Sequence, residues 1–245
     1  MTTGLSYDGT VSGTNSYIAE MSTLAVVSPT DPAFLTILPQ MITYAENRMY
    51  RDIDFLFTSI STSAYSCSVG SRIIAVPAGT IVVPEQINLI TPAGTTNPDF
   101  GTRVPLLPTT KEFLDAVYGS SFYTAAPQYW VPFDDYTFLV GPYPDQNYTV
   151  EIVGTYRPAS LSSTNLTTFI SLYLPDVFLM ASMIFISGYQ RNFGRQSDDP
   201  AMAQSYESQY QALLKSAVSE ENRKKFEGSG WSSQSASSTA TPTRG

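Results

Sequence analysis

The fold turns on one stretch, Asp31-Pro32-Ala33-Phe34-Leu35-Thr36-Ile37-Leu38-Pro39-Gln40-Met41-Ile42-Thr43-Tyr44-Ala45-Glu46-Asn47-Arg48-Met49-Tyr50-Arg51-Asp52. A capping aspartate precedes proline at the first helical position, and Phe34, Leu38, Ile42, Ala45 and Met49 recur at helical spacing. Glu46, Arg48, Arg51 and Asp52 supply a polar face. Pro39 lies inside the pattern and leaves two readings open: a helix kinked there, or a short turn before a main helix that starts at Leu38.

Upstream, residues 1–13 are small and polar with Gly4, Gly9 and Gly13, an irregular arm. Thr14-Asn15-Ser16 offers cap chemistry for a helix carrying Tyr17, Ile18, Met21 and Leu24, which Ser28-Pro29-Thr30 ends. Downstream, Ile53, Phe55 and Phe57 alternate as an extended exit. Residues 55–158 then change character, with most of the prolines and many β-branched residues. Short apolar runs at 73–76, 80–83 and 86–90 precede a Pro/Gly/Thr-rich loop at 91–105. Thr109 to Glu112 opens a short helix with Phe113, Leu114 and Val117 on one side and Gly119 at its end. Tyr129–Phe133, Tyr136–Val140 and Tyr148–Arg157 are expected to form an antiparallel meander. Its last strand would bury Tyr148, Val150, Ile152 and Tyr156, and wet Thr149, Glu151, Thr155 and Arg157.

Helices return after Pro158. A buried helix is expected from about Ser171 to Tyr189 and a last one after Asp198-Asp199-Pro200, striped by Met202, Tyr206, Tyr210, Leu213, Leu214 and Ala217. The expected class is α+β: a bundle of about four helices, an inserted β-rich lobe and an extended C-terminal tail. The segments are 1–54, the N-terminal arm and helices; 55–158, the lobe; 159–227, the C-terminal helices; and 228–245, a Gly/Ser-rich tail.

Composition narrows the chemistry. The 245 residues include no histidine and one cysteine, Cys67. A His-based triad, a His-ligated metal, an internal disulfide and a Cys-based zinc site are all excluded. A net charge of −8 argues against gripping nucleic-acid phosphates. No export signal is expected at Met1-Thr2-Thr3-Gly4, and the most apolar run, Val177–Ile186, is about half a membrane span. Asp134-Asp135 suits a hairpin turn better than an acid–base pair. No cofactor motif appears. The densest positive spot, Arg223-Lys224-Lys225, suits a solvated helix end or an acidic partner. Sixteen tyrosines and 13 phenylalanines in a chain only 14% charged fill the lobe's core or point to surface hidden in an assembly.

The run Leu38 to Asp52 resembles the N-terminal helix of tailed-phage head-to-tail adaptors of the SU10 type, which carry an apolar-x-x-Ala-Glu-x-Arg pattern matched here by Ala45, Glu46 and Arg48. The resemblance continues through Val131 to Asp145, ending in Gly141-Pro142-Tyr143-Pro144-Asp145. It then runs through Tyr148 to Pro158 and Leu172 to Asp176, covering roughly 31–218 in the same order. It implies a non-enzymatic virion protein that needs no cofactor and forms a homo-oligomeric ring, usually dodecameric, beneath the portal protein. Such a ring docks the tail nozzle or tail fibre proteins. Double-stranded DNA passes through it, and no membrane insertion is involved. Ala45, Glu46 and Arg48 would then be packing or inter-subunit residues. Arg223, Lys224, Lys225, Phe226 and Trp231 would contact the portal, and Gly141, Pro142, Pro144 and Asp145 would form a turn of the lobe.

The rival readings are another tail-completion or fibre-attachment protein, a soluble binding lobe, and a carboxylate-dependent glycan hydrolase using Asp134, Asp135, Asp198 and Asp199.

Overall fold

The computed structural model describes residues 4–9, 15–190 and 201–228. In chain order the elements are β1 (Leu5–Ser6), β2 (Asn15–Ser16), α1 (Tyr17–Leu24), α2 (Pro32–Asp52), β3 (Ser59–Cys67), β4 (Ile73–Ala75), β5 (Val83–Thr91), β6 (Thr102–Pro105), β7 (Leu107–Pro108), α3 (Lys111–Tyr118), β8 (Tyr129–Asp134), β9 (Thr137–Gly141), β10 (Tyr148–Thr155), α4 (Phe169–Tyr173), α5 (Pro175–Gln190) and α6 (Ala201–Gly228). The protein is α+β. It divides into two compact units, Met1–Phe57 with Ala159–Gly245, and Thr58–Pro158.

In the helical unit, α2 is one helix of 21 residues with Pro39 inside it. Asp31 caps it by accepting from the Ala33 and Phe34 amides, and Phe34, Leu38, Ile42, Ala45 and Met49 are buried as the spacing requires. Ser16 caps α1. That helix ends at Leu24, short of Ser28, where the chain turns through Val26 at φ 54°. The expected helix from Ser171 is instead two. Thr168 and Ser171 form a reciprocal cap on α4, and Leu174 lies outside helical geometry because the following Pro175 disfavours it. α5 is apolar nearly all round and packs against α1, α2, α4 and α6. Ser182 within it is satisfied, donating to the Phe178 carbonyl and accepting from the Tyr17 hydroxyl at 2.5 Å. The described part of the N-terminal arm is docked: Leu5 is buried, β1 pairs with β2, and the Tyr7 amide donates to Leu166 O. The helix start expected at Asp198-Asp199-Pro200 lies outside the described residues.

The other unit holds two four-stranded sheets, ordered β3-β10-β5-β6 and β4-β9-β8-β7. Tyr65, Cys67, Ile87, Leu89, Val150 and Ile152 from the first meet Ile74, Trp130, Phe138 and Val140 from the second in one core. The hairpin of β8 and β9 forms as expected, with Asp134 Oδ1 accepting the Tyr136 amide in the turn. The meander does not form. β10 leaves β9 and enters the other sheet between β3 and β5, because Gly141–Asp145 crosses from one sheet to the other instead of reversing the chain. β10 is flanked on both sides, and the face expected to be wet is largely covered: Glu151 is buried, and Thr149 and Thr155 are half-buried. The expected loop at 91–105 contains β6, an edge strand paired with β5.

Candidate functional site

The Ala45-Glu46-x-Arg48 motif lies on the inner side of α2. Ala45 and Glu46 are both fully buried. Glu46 Oε1 accepts the Leu161 amide at 3.1 Å, tying α2 to the segment that returns from the β unit. Arg48 lies two residues on and turns to α6. Its Nη1 and Nη2 donate to Glu207 Oε2 and Oε1 at 2.8 and 2.6 Å, a bidentate pair. Its guanidinium lies 4.4 Å from the Tyr210 ring centroid, and Tyr210 donates to Asp52 Oδ2 at 2.7 Å. The Arg48 guanidinium holds the Glu207 carboxyl below the usual range, whereas burial first, and then the Asp52 hydrogen bond, push the Tyr210 phenol up. Arg48 thus takes its ion-pair partners from its own chain, and Glu46 a backbone amide.

The basic cluster near the end of α6 is also engaged. Lys224 Nζ stands 2.9 and 2.7 Å from carboxylates of Glu220 and Glu221 and 5.6 Å from the Phe169 ring centroid, while Lys225 pairs with Asp54. Glu221, itself buried, accepts the Leu56 amide. Arg223 is exposed. The Phe226 side chain and Trp231 lie outside the described residues.

In the β unit, the turn is a junction built of backbone bonds. Gly141 O accepts from the Gln128 amide, Tyr143 O from Ala125 and Pro144 O from Gly70, and Asp145 Oδ1 accepts the Tyr148 hydroxyl at 2.7 Å. A Cβ on Gly141 would come within 2.6 Å of Leu114 Cδ2, so glycine is what lets α3 pack there. Gly141–Pro142 is a cis peptide.

A polar line was missed in the sequence. Asn88 Nδ2 donates to Glu151 Oε2 at 2.9 Å, Arg103 Nε lies 3.0 Å from both Glu151 oxygens, and Arg103 also pairs with Asp99. Burial pulls the Glu151 carboxyl upward, but Asn88, Arg103 and Ser61 outweigh it and hold it below the usual range. The partners are 48 and 63 residues away in sequence, so only the strand order reveals them.

Asp134 serves the hairpin, and Asp198 and Asp199 lie outside the described residues. Among the described residues no group of three or more His, Cys, Asp or Glu stands ready to hold a metal, and no helix is long and apolar enough to cross a membrane. Cys67 is buried and its thiol is pushed up to about 11, chiefly by that burial. What the surface does show is exposed aromatic area: Phe122 is 94% exposed and Phe100 85%, with Tyr123, Phe133, Tyr136 and Tyr173 more than half exposed. Isolated apolar residues are ordinary on surfaces, but large aromatics exposed to this degree are the anchors that interfaces use.

The family model described as SU10 adaptor protein matches residues 17–236. The match takes in both flanking helical segments and the whole β unit, and extends past each end of the stretch whose motifs suggested it. No curated protein matches the chain. With nearly the whole chain covered, the protein belongs to the SU10 adaptor family, the structural adaptor proteins of tailed phages.

Proposed function

We propose that this protein is a head-to-tail adaptor that forms a homo-oligomeric ring, a dodecamer, below the portal protein in the virion neck. The ring extends the DNA channel and docks the tail nozzle or tail fibres. The carrying observation is the family match over residues 17–236. The exposed aromatics and the 14% charged content support it, since a ring covers surface that an isolated copy leaves wet. The net charge of −8 suits a conduit through which double-stranded DNA passes during packaging and ejection without being held.

The end of α6 and the following tail, with Arg223, Lys224, Lys225, Phe226 and Trp231, form the portal-binding latch in this reading. Ala45, Glu46 and Arg48 shape the helical unit that packs in the ring, and Gly141, Pro142, Pro144 and Asp145 shape the lobe. The role is structural, without catalysis or cofactor. The test is co-sedimentation of the full chain and of a version ending at residue 227 with portal particles, followed by imaging. The full chain is expected to co-sediment as a ring on the portal, and the shortened chain to lose most of that association. Unchanged association of the shortened chain removes the latch assignment. A full chain that ignores portals and decorates distal tail parts removes the adaptor reading.

A further inference from the structure

Glu46 does something that the family assignment does not account for. Its side chain is fully enclosed. Oε1 accepts the Leu161 amide at 3.1 Å, while Oε2 is buried with no hydrogen-bond partner among the described residues. No cation of the described residues stands against it. From α1, the Tyr17 hydroxyl faces the site but commits its proton to Ser182 Oγ on α5, and Ser182 commits its own to the Phe178 carbonyl. From the return segment come the Ser160 hydroxyl and the Leu161 amide. On α2 itself, Arg48 turns to Glu207, and Tyr50 packs its ring against Phe55 and Phe57.

An ionised carboxylate in this place would keep one oxygen both dehydrated and unbonded. A neutral carboxylic acid leaves only a dipole unsatisfied, which costs far less. We propose that Glu46 is a proton-operated latch: protonated on Oε2, it holds the Ser160–Leu161 segment on α2, and loss of that proton as pH rises loosens the segment. Burial pushes the carboxyl's pKa up, against the smaller opposing pulls of Ser160 and the Leu161 amide. A carboxyl whose pKa is raised on folding binds its proton more tightly in the folded chain than in the unfolded one. Its stabilising effect is therefore complete below the ordinary carboxylate range, and is lost as pH climbs through the raised folded value.

Glu46→Gln tests this in the full chain, because glutamine keeps the acceptor for Leu161 and replaces the proton-bearing oxygen with a neutral donor. Thermal unfolding and amide exchange at Leu161 are followed from about pH 5 to about pH 8, spanning the range above an ordinary carboxylate. The wild type is expected to lose melting temperature relative to Glu46→Gln as pH rises. Its Leu161 amide, corrected for intrinsic exchange, is expected to exchange about tenfold faster at the top of the range than at the bottom, and that of the variant to stay level. Parallel profiles for the two proteins overturn the latch. If the variant does not fold, the wild type decides alone: a Glu46 carboxyl carbon that titrates within the ordinary carboxylate range by NMR overturns it, and one that titrates above that range supports it.

Discussion

Arg48 makes the sharpest quantitative case, because its guanidinium joins α2 to α6 through Glu207 and Tyr210 and also meets Asp52 on α2 itself. Arg48→Ala removes the bidentate pair with Glu207, a 3.5 Å contact with Asp52, and the cover over the Tyr210 ring. The two partners' side chains are 24% and 38% exposed, so the pair is screened and is worth about 1 kcal/mol, near the top of the range for surface pairs because of its fork geometry. The guanidinium over Tyr210 adds about 0.5–1 kcal/mol. Glu207 left behind can rehydrate, so no orphaned-charge penalty is added. Arg48→Ala is thus expected to destabilise by about 2 kcal/mol, which in a chain of this length lowers the melting temperature by about 4–8 °C. The assay is urea unfolding of wild type, Arg48→Ala, Glu207→Ala and the double variant, with a coupling energy of about 1 kcal/mol expected between the two sites. Arg48→Lys should recover less than half of the loss, since an ammonium cannot fork onto a carboxylate. A coupling below about 0.3 kcal/mol, the scatter of additive sites, refutes the claim that this pair ties the helices.

Two further perturbations read the β unit. A Cβ at residue 154 would sit 2.3 Å from the backbone oxygen of Val83 and one at 141 would meet the flexible end of Leu114, so Gly154→Ala should destabilise more than Gly141→Ala by equilibrium unfolding, with about 1–3 kcal/mol expected for the milder one. Cys67 should resist a thiol reagent at neutral pH in the folded protein and react at once in denaturant, since its thiol is buried and pushed up to about 11; fast labelling of the native chain contradicts the placement.

What the sequence made legible was local. Asp31 ahead of Pro32, the run Thr14-Asn15-Ser16 ahead of Tyr17 and Thr109-Thr110 ahead of Lys111 carry cap chemistry that is complete within a few residues, and the caps are Asp31, Ser16 and Thr110. The hairpin at Asp134-Asp135 is local in the same sense. What escaped was long-range. β3 is a run of small polar residues with no apolar alternation to expose it, and it is a strand because β10 pairs along it. β10 itself had the right period but the wrong neighbours: periodicity gives the two faces of a strand and not which strands lie beside it. That one error placed Glu151 in water. The carboxylate is acceptable inside because Asn88 and Arg103 arrive from β5 and β6, which no reading of residues 148–157 alone can supply. Glu46 escaped similarly, since counting it on a polar face ignores that Leu161 comes back to cover it.

The charge ledger of the folded chain bears on the proposed conduit more directly than net charge does. Arg48, Arg72, Arg103, Lys111, Lys224 and Lys225 all stand against carboxylates of the same chain. Cations committed in this way, with Lys224 against both Glu220 and Glu221 and with Arg72 and Lys111 sharing Asp115, offer little free field to a passing phosphate. With 13 basic residues against 21 acidic ones, the charge remaining after pairing is negative. DNA binding strength grows with the number of phosphates that a surface neutralises, and these six paired cations release few counterions when DNA comes near. A low charge fraction, internal pairing and an acidic remainder therefore act in the same direction. In the proposed ring they would let copies approach one another through uncharged and aromatic surface while leaving DNA unheld.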